Sequence, residues 1–510
     1  MPETYIERIL RARVYDVARE SPLTRAGTLS RRLGNEVFLK REDLQPVFSF
    51  KLRGAYNKLA HMDRTTLQGG VIAASAGNHA QGVALGAARL QISATIVMPR
   101  TTPQIKVQAV RALGAKIVLH GDSYDEAFAH AMGLVAERGL SFIHPFDDPD
   151  VIAGQGTIAM EILRQHPEPP YAIFVPVGGG GLIAGIAAYV KYVYSGVKII
   201  GVEPQEAPTL ERALAAGRRV ELEHVGLFAD GVAVRQVGEE PFRIARELVD
   251  EVILVDADEI CAAIKDVFDD TRGIAEPAGA LGVAGLKRYV QREGLSGRHL
   301  IAIESGANIN FDRLRHIAER AELGEQREAL LAVRIAERPG SFLGFCRALG
   351  KRQITELNYR YSHEREAQVF VGVELGGGDS ERREIILRLE QKGLRVVDMT
   401  DNETAKLHIR FMVGGQAWGV SNEALIRFEF PERPGALLDF LSGLGRRWNI
   451  SLFHYRNQGA AYGRVLMGIQ VPPGEHAEFR QLIDRLGYCY WLETDNPAYR
   501  IFTAARTPSG

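Results

Sequence analysis

One lysine in an apolar setting has the residue type needed for covalent chemistry. Lys51 lies between Phe50 and Leu52, directly before a stretch with helical spacing of apolar residues. An amine beside apolar groups loses hydration and is more easily deprotonated. A neutral amine can form a Schiff base with an aldehyde. The alternative is a surface lysine whose stem lies along apolar neighbours, so the other motifs must decide.

A run of four glycines, Gly178 to Gly181, follows an apolar strand-like segment and precedes a helix-like one. Such a run can turn its amides toward one point, and a helix N-terminus adds positive potential, which suits a phosphate. With Ala184 it also matches a dinucleotide fingerprint, and Glu203 ends the next strand. The run alone is therefore compatible with a phosphorylated cofactor or with a nicotinamide cofactor.

A second polar turn, Ser75-Ala76-Gly77-Asn78-His79, ends an apolar run and begins a helix rich in small residues. Ser and Asn at this place can donate hydrogen bonds to a substrate carboxylate or to a cofactor ring oxygen. They can equally cap the helix. The turn alone leaves both interpretations open.

A third motif, Glu304-Ser305-Gly306-Ala307-Asn308, ends the last predicted strand of the sheet. Successive strand residues point to opposite faces, so Glu304 and Ser305 cannot both face one ligand. Beside a pyridine nitrogen, a carboxylate would keep the ring protonated and strongly electron-withdrawing. A serine hydroxyl would leave it closer to neutral, which disfavours racemisation and transamination but permits loss of a β-hydroxyl.

Size and composition bound the class of protein. A chain of 510 residues is too long for one core and suggests about three domains. The net charge of -1 predicts no attraction for nucleic acid or an anionic membrane. We expect no membrane span and no leader. Only three cysteines occur, without a C-x-x-C pair, which fits a cytoplasmic protein without a cysteine-ligated metal.

The first part of the chain has the pattern of an α/β protein. Residues 1 to about 35 look helical, and apolar runs then alternate with helical stretches, which predicts a parallel sheet covered on both faces. We place this domain at 1–322, followed by a polar linker at 321–329. The predicted strands begin near Glu36, Val71, Ala94, Lys116, Ser141, Ala172, Val197, Val252 and Leu300.

The remaining chain contains an internal repeat. Each copy has a strand-like segment, the residues Glu-Arg-Pro-Gly at 337–340 or 432–435, an apolar helix and a second strand. The order strand, helix, strand, strand, helix, strand predicts two ferredoxin-like α+β domains, at 329–401 and 423–495. The polar stretch 402–421 separates them.

Together these motifs resemble the fold-type II, tryptophan-synthase-like pyridoxal-phosphate enzymes, and most closely the serine/threonine dehydratases. The two repeats are similar to the paired ACT-like regulatory domains of biosynthetic threonine deaminases. The resemblance covers nearly the whole chain and implies pyridoxal 5'-phosphate as cofactor and a small subdomain at about 40–150. It rests on four stretches: 49–55, 75–82, 178–182 and 305–308.

The resemblance implies a role for each matching residue. Lys51 holds the cofactor as a Schiff base and then acts as the base at the substrate Cα. Asn78 meets the ring hydroxyl, Ser305 meets the pyridine nitrogen and Phe50 packs against the ring. The substrate carboxylate side is lined by Ser75, Gly77 and His79. The cofactor phosphate is held by Gly178, Gly179, Gly180, Gly181 and Leu182.

The implied reaction is elimination of water from threonine, with serine as a secondary substrate, giving 2-oxobutanoate and ammonia. Similar racemases have a serine where this chain has Ala76 and use it as a second base, so Ala76 favours elimination. The alternatives are a β-replacement synthase, which needs a second substrate, a serine racemase, a nicotinamide-dependent enzyme, or an amino-acid sensor without turnover.

For the C-terminal half, the resemblance implies isoleucine as inhibitor, valine as its antagonist, and a homotetramer. A tyrosine after the second strand of each copy could face a groove between domains. The alternative is ordinary strand packing of amphipathic tyrosines. The candidate effector residues are Asn358, Tyr359, His454 and Tyr455. No metal site is predicted.

Overall fold

The computed structural model describes residues 2–336, 341–350, 352, 354–361, 366–411, 420–431, 440, 443–444, 447–456 and 462–502. The chain divides into two compact units, 1–321 and 322–510. Each unit has its own buried apolar clusters. None of the helices within those ranges has the length and apolar character needed to cross a membrane.

The first unit alternates helices and strands from end to end. Two short 3₁₀ helices also occur, at Glu42–Leu44 and Asp230–Val232. Its elements are α1 Pro2–Leu10, β1 Leu23–Arg25, α2 Gly27–Leu33, β2 Glu36–Arg41, α3 Lys51–His61, α4 Arg64–Leu67, β3 Val71–Ala74, α5 Asn78–Leu90, β4 Ala94–Met98, α6 Gln104–Ala112, β5 Lys116–Leu119, α7 Tyr124–Arg138, β6 Ser141–Phe142, α8 Pro149–Gln165, β7 Ala172–Pro176, α9 Gly181–Val193, β8 Lys198–Pro204, α10 Thr209–Ala216, α11 Glu239–Leu248, β9 Glu251–Val255, α12 Ala257–Thr271, α13 Pro277–Glu293, β10 His299–Glu304 and α14 Arg313–Gly324.

The larger sheet of this unit has the strand order β1-β2-β10-β7-β8-β9. All neighbours are parallel except β1, which pairs antiparallel with β2 at the edge. The central strands β7 and β10 are buried along almost their whole length, as their continuous apolar sequences predict. The chain runs outward through β8 and β9 and then returns to insert β10 beside β7. The neighbouring carboxyl ends of β7 and β10 therefore form a topological switch point.

The smaller sheet has the order β5-β4-β3-β6 and is wholly parallel. Here too the chain runs outward from β3 and returns to add β6 on the other side. The carboxyl ends of β3 and β6 are neighbours at a second switch point. The predicted covered parallel sheet is confirmed, in the form of two sheets.

Helix α8 lies very close to α3 and α9, the two helices that begin at the predicted site residues Lys51 and Gly181. A Cβ added at Gly154 would lie 2.7 Å from Gly54 Cα, in α3, and one added at Gly185, in α9, would lie 2.4 Å from Ile152 O. Contacts this short to backbone leave no room for a side chain. The backbones of α3 and α9 therefore pack directly on α8 on account of glycine.

The second unit contains two four-stranded antiparallel sheets with equivalent strand orders, β12-β13-β11-β14 and β16-β17-β15-β18. Numbered within each copy, both orders are 2-3-1-4, so the ferredoxin-like prediction is confirmed. The elements are β11 Glu328–Ala336, α15 Ser341–Leu349, β12 Ile354–Tyr361, β13 Glu366–Glu374, α16 Gly378–Gln391, β14 Arg395–Asp398, α17 Glu403–Leu407, a 3₁₀ helix Ile409–Phe411, β15 Glu423–Pro431, β16 Asn449–Arg456, β17 Tyr462–Gln470, α18 His476–Leu486, β18 Cys489–Leu492 and α19 Pro497–Phe502.

The two copies share details beyond strand order. Each second strand shifts register by one residue, at Thr355 and at Ser451. The hydroxyl of each of these residues donates to the first glutamate of its own copy, Glu328 or Glu423. The repeat is therefore preserved at the level of a bulge and its hydrogen bond. The two Glu-Arg-Pro-Gly turns and most of the second copy's first helix lie outside the described residues.

The structure corrects three predictions from sequence. Residues 1 to about 35 are not all helical, because β1 joins the larger sheet as an edge strand. The linker predicted at 321–329 is much shorter, since α14 continues to Gly324 and β11 begins at Glu328. The stretch 402–421 is not simply a spacer: Ala405, Leu407 and His408 are buried.

The close packing of α3 on α8 gives a first test. Gly154→Ala should lower the free energy of unfolding by about 1–3 kcal/mol, because its methyl group would meet backbone atoms of α3. The matched control is Gly133→Ala in α7, where nothing lies within 4 Å of the new methyl group. That control should stabilise by about 0.5–1 kcal/mol. Thermal denaturation of both variants checks the contrast, and equal effects would contradict it.

Candidate functional site

The predicted site residues follow strands at the two switch points. The glycine run follows β7 and Ser305 follows β10 in the larger sheet, while Ser75 to Asn78 follow β3 in the smaller one. Lys51 is the first residue of α3. Carboxyl ends of parallel strands at a switch point are where α/β proteins bind ligands.

The segment before Lys51 is held against the segment after β10. Ser49 and Gly306 form an isolated β-bridge, and the Phe50 N–H donates to the Ser305 carbonyl at 3.3 Å. Phe50 packs on the apolar cluster beneath the larger sheet. These contacts bring Lys51 and Ser305 together, although the two residues are distant in sequence.

The amine of Lys51 donates a hydrogen bond to the carbonyl of Gly231, which lies 3.0 Å from Nζ. Burial lowers the pKa of Lys51, an effect that the charges of Glu276 and Asp230 oppose and the charge of Lys106 reinforces. A lysine whose pKa is lowered has more of the neutral amine that nucleophilic and base chemistry require.

The 3₁₀ turn Asp230–Val232 contacts several parts of the site at once. A Cβ added at Gly178 would lie 2.9 Å from Val232 Cα, and one added at Gly231 would lie 3.4 Å from Glu276 Oε1 and 3.9 Å from Asn78 Nδ2. The turn therefore lies between the glycine run, the lysine amine and Asn78.

Asn78 belongs to a chain of three buried or half-buried polar side chains. Asn308 Nδ2 donates to Asn78 Oδ1 at 2.7 Å, and Asn78 Nδ2 donates to Glu276 Oε1 at 2.6 Å. The Asn78 oxygen therefore accepts from Asn308, and the NH₂ group, with one N–H on Glu276, has a second N–H for the site. Burial and the nearby charge of Asp230 raise the pKa of Glu276, while Lys106 opposes the rise.

The turn around Ser75 does not cap α5 through a side chain. The N-cap residue is Gly77, which makes no side-chain cap bond, and Ser75 Oγ accepts from the Gly77 N–H at 3.3 Å. His79 is buried with Nε2 2.9 Å from the Ile143 carbonyl, and burial lowers its pKa to about 3. The His79 ring is therefore neutral and engaged by the main chain. The first-turn amides of α5 remain available to an anion.

The glycine run, called the cradle below, packs too closely on its neighbours to leave room for a side chain. A Cβ at Gly179 would lie 2.2 Å from the Phe146 ring, and one at Gly181 would lie 3.0 Å from Phe146 O. Gly180 has a φ of 89° and serves as the N-cap of α9, which makes no side-chain cap bond. Gly181 and the buried Leu182 begin that helix. Uncapped amides at a helix N-terminus suit a phosphate.

The structure assigns the two faces at the end of β10. Glu304 is buried with Oε2 2.8 Å from Arg41 Nε, whereas the buried Ser305 hydroxyl donates to the Ala278 carbonyl at 3.3 Å. Burial and the neighbouring Asp43 raise the pKa of Glu304 to about 8, against the opposing charge of Arg41. Glu304 therefore belongs to a buried cluster with Arg41 and Asp43.

The predicted effector residues occupy matched positions in the second unit. Asn358 and His454 lie opposite Phe370 and Leu466 in their respective copies, and Tyr359 and Tyr455 follow in the same register. His454 Nδ1 lies 2.7 Å from Nδ1 of the buried His408. The side chains of Asn358, Tyr359 and Tyr455 lie outside the described residues.

Sequence reasoning missed several residues of the first unit's site. The turn at 230–232 has no regular motif, and the buried Glu276 and the half-buried Phe146 act through contacts with residues remote in sequence. A weak signal existed for Glu276, because a following proline marks a helix start. Asn308 lay inside a recognised motif without an assigned role.

Two family models match the chain. The model described as "Pyridoxal-phosphate dependent enzyme" matches residues 14–306. The model described as "C-terminal regulatory domain of Threonine dehydratase" matches twice, at residues 319–409 and 414–503. The matched ranges fall on the α/β part and on the two repeats.

The chain is also similar to named proteins over most of its length. It is 58% identical over 501 residues to the biosynthetic L-threonine dehydratase of Burkholderia multivorans, covering 98% of this chain and 99% of that protein. It is 52% identical to the Escherichia coli biosynthetic L-threonine dehydratase, covering 98% and 97%. The solved structure of processed threonine deaminase isoform 2 from Solanum lycopersicum matches with a TM-score of 0.62 and 53% identity, covering 63% of this chain and 93% of that one.

The buried carboxyl of Glu304 predicts a pH effect on stability. Its pKa rises on folding from 4.5 to about 8, so the folded state binds the proton more tightly. The stability that the protonated Glu304 contributes is therefore fully present below pH 4.5 and is lost as pH rises through about 8. Glu304→Gln removes this dependence, so its melting temperature should gain on that of the parent protein across the same range.

The control for this comparison is Glu293→Gln, which changes an exposed carboxyl paired with Arg292. Its melting temperature should follow that of the parent at every pH. Melting curves of the three proteins from pH 5 to 9 test the assignment. A difference between Glu304→Gln and the parent that stays constant with pH would refute it.

Proposed function

Because the chain belongs to the family of biosynthetic threonine dehydratases, which depend on pyridoxal phosphate, we propose that it removes water from L-threonine at the site around Lys51. The products are 2-oxobutanoate and ammonia, and serine is a secondary substrate. The observation that carries the proposal is that a half-buried lysine amine of lowered pKa and a four-glycine cradle at a switch point both contact the Asp230–Val232 turn.

The residues present fit the cofactor. The cradle at Gly178 to Gly181 has no room for side chains, the uncapped amides at the start of α9 suit a phosphate, and Leu182 continues the run into that helix. Asn78 offers an NH₂ group, Ser305 offers a hydroxyl and Phe50 offers an apolar face. When bound to Lys51, pyridoxal phosphate supplies an electron-withdrawing ring that stabilises charge at the substrate Cα.

The chain's own residues provide the proton transfers and the binding. Burial favours neutral Lys51, which can accept the Cα proton. The uncapped first turn of α5, with Ser75, Gly77 and the main chain of His79, is suited to the substrate carboxylate. Ala76 offers no proton to a second face, which supports elimination over racemisation.

We propose three domains: a catalytic domain at 1–322 with a small subdomain at about 40–150, and ACT-like domains at 329–401 and 423–495. We further propose isoleucine as the inhibitor and valine as its antagonist, because a regulated enzyme at the start of a biosynthetic route responds to the end product. The matched register of Asn358 with His454, and of Tyr359 with Tyr455, supports equivalent effector sites.

The same family relationship supports a homotetramer. Three cysteines in 510 residues support a location in the reducing cytoplasm. Both assignments are proposals that sedimentation and cell fractionation would test.

The role of Lys51 has a direct test. Lys51→Ala should lower kcat/KM for threonine by at least about 10²–10⁴-fold, because the base and the covalent anchor are lost together. The cofactor absorbance and borohydride trapping at this residue should disappear. The control is Lys58→Ala on the same helix, which loses partly exposed ion pairs with Asp148 and Asp150 and should keep turnover.

The reaction assignment fails if the parent protein, given threonine alone, forms no 2-oxoacid. A requirement for a second substrate would indicate a β-replacement synthase instead. Turnover retained in Lys51→Ala would contradict the role of this lysine but not the reaction.

The regulatory assignment has a separate test. A chain ending at residue 325 retains the buried clusters of the first unit and should still deaminate threonine, but isoleucine should no longer inhibit it. In the full chain, saturating isoleucine should raise the melting temperature, because a ligand that binds only the folded protein stabilises it. Inhibition that persists in the shortened chain would refute the assignment.

A further inference from the structure

An ion pair joins the two layers of the first unit, meaning the smaller sheet and the larger sheet with their helices, at the turn that contacts Lys51. Lys106 Nζ lies 2.6 Å from Asp230 Oδ2, with side-chain exposures of 14% and 36%. Lys106 belongs to α6, whose Val107 and Val110 pack in the apolar cluster of the smaller sheet. Asp230 precedes Val232, which packs in a cluster of the larger sheet. The pair therefore connects two separate cores.

Asp230 is also held from its own side. Arg313 Nη1, at the start of α14, lies 3.5 Å from Asp230 Oδ1, and the same guanidinium donates to the Phe228 carbonyl. Although burial would raise the pKa of Asp230, the charges of Lys106 and Arg313 lower it to about 2. Asp230 is therefore an anion clamped between two cations.

The residue after Asp230 is the one that meets the catalytic amine. The Gly231 carbonyl accepts from Lys51 Nζ at 3.0 Å, within a turn closed by the Val232 N–H donating to the Ala229 carbonyl at 3.0 Å. A displacement of Asp230 would move this carbonyl, because Gly231 follows Asp230 directly within the same short turn. The same turn packs against Gly178 of the cradle.

We propose that Lys106 is a positioning residue. By holding Asp230 it fixes the Asp230–Val232 turn. The Lys51 amine is therefore oriented when the layer of the smaller sheet docks on the layer of the larger sheet. The inference rests on Lys51 being the catalytic amine of the proposed function. Lys106 also offsets the negative charge of the acidic side chains near that amine. Among the charged groups acting on Lys51, Glu276 and Asp230 favour the protonated form, and Lys106 favours the neutral one.

A second ion pair between the layers provides a matched control. Arg235 Nη1 lies 2.9 Å from Asp125 Oδ2 at the start of α7, with exposures of 41% and 62%. It comes from the same irregular segment as Asp230 but has no contact with the 230–232 turn among the described hydrogen bonds and ion pairs. As an exposed pair it should contribute little.

The experiment compares Lys106→Met, Lys106→Arg and Arg235→Met in the full-length enzyme with its cofactor. For Lys106→Met we expect kcat to fall about tenfold with a smaller change in KM, because the amine is misplaced by a fraction of an ångström. The acid limb of the kcat profile should move upward by about one pH unit, because a cation that favours the neutral amine is gone. Lys106→Arg should keep kcat within about threefold of the parent's and leave the acid limb in place, because it retains the positive charge. Arg235→Met should resemble the parent in both.

A measurement without turnover accompanies these assays. Hydrogen exchange followed by mass spectrometry should show the peptide that contains the Val232 amide exchanging at least about tenfold faster in Lys106→Met than in the parent or in Arg235→Met. This readout separates the present proposal from the reaction assignment, which the parent enzyme tests with threonine alone.

Three outcomes would overturn the proposal. The first is an unchanged pH profile and unchanged exchange in Lys106→Met. The second is equal loss in Lys106→Met and Lys106→Arg with the profile unmoved, which would show that shape and not charge matters. The third is that Arg235→Met reproduces both changes, since the effect would then not belong to the turn.

Discussion

The geometry of the first unit depends on a buried ion cluster two residues beyond Lys51. Arg53, fully buried, bonds to Glu42 at 2.8 Å and to Glu161 at 2.6 Å, and Glu161 also accepts from buried Lys40 at 2.6 Å. The cluster contains two cations and two carboxylates, so its members neutralise one another. Removing one partner of such a set would leave a buried unpaired charge, at a cost of about 3–5 kcal/mol. Because the partners come from β2, the 3₁₀ helix Glu42–Leu44, α3 and α8, the cluster fixes where α3 begins.

Helix α8, which belongs to this cluster through Glu161, also sets the spacing between the parts of the site. It meets α3 through Gly54 and Gly154 and meets α9 through Gly156 and Gly185, in both cases with backbone against backbone. Side chains can change rotamer, but backbones in direct contact have little freedom to slide. Lys51 at the start of α3 and the glycine run at the start of α9 are thus held at a fixed separation by one rigid helix. A lysine that must reach a cofactor anchored elsewhere requires that separation.

The sequence predicted what local pattern determines. Apolar runs such as those at Val71 and Ala172 gave strands within a residue or two, because burial on both faces leaves a continuous signal. The repeat predicted the ferredoxin-like order in both copies. The edge strand β1 and the buried segment near His408 were missed, since their partners lie far away in the chain. The 230–232 turn and Glu276 were missed for the same reason: their role is set by contacts with Lys51 and Asn78, and no spacing rule records such contacts.

The second unit shows how a repeat can become responsive to a ligand. Its two copies meet at equivalent residues, with Asn402 Nδ2 donating to Asn496 Oδ1 at 3.2 Å. The equivalent acids are satisfied differently: Glu328 pairs with Arg410, whereas Glu423 accepts from the hydroxyl of Tyr499. A ligand that binds two arrangements of the second unit equally well would not shift the equilibrium between them, because only a difference in affinity for the two arrangements does so. The two copies, which share a strand order and a bulge, therefore have different partners for an equivalent acid, so a movement of one copy against the other would change an ion pair in one and a neutral hydrogen bond in the other.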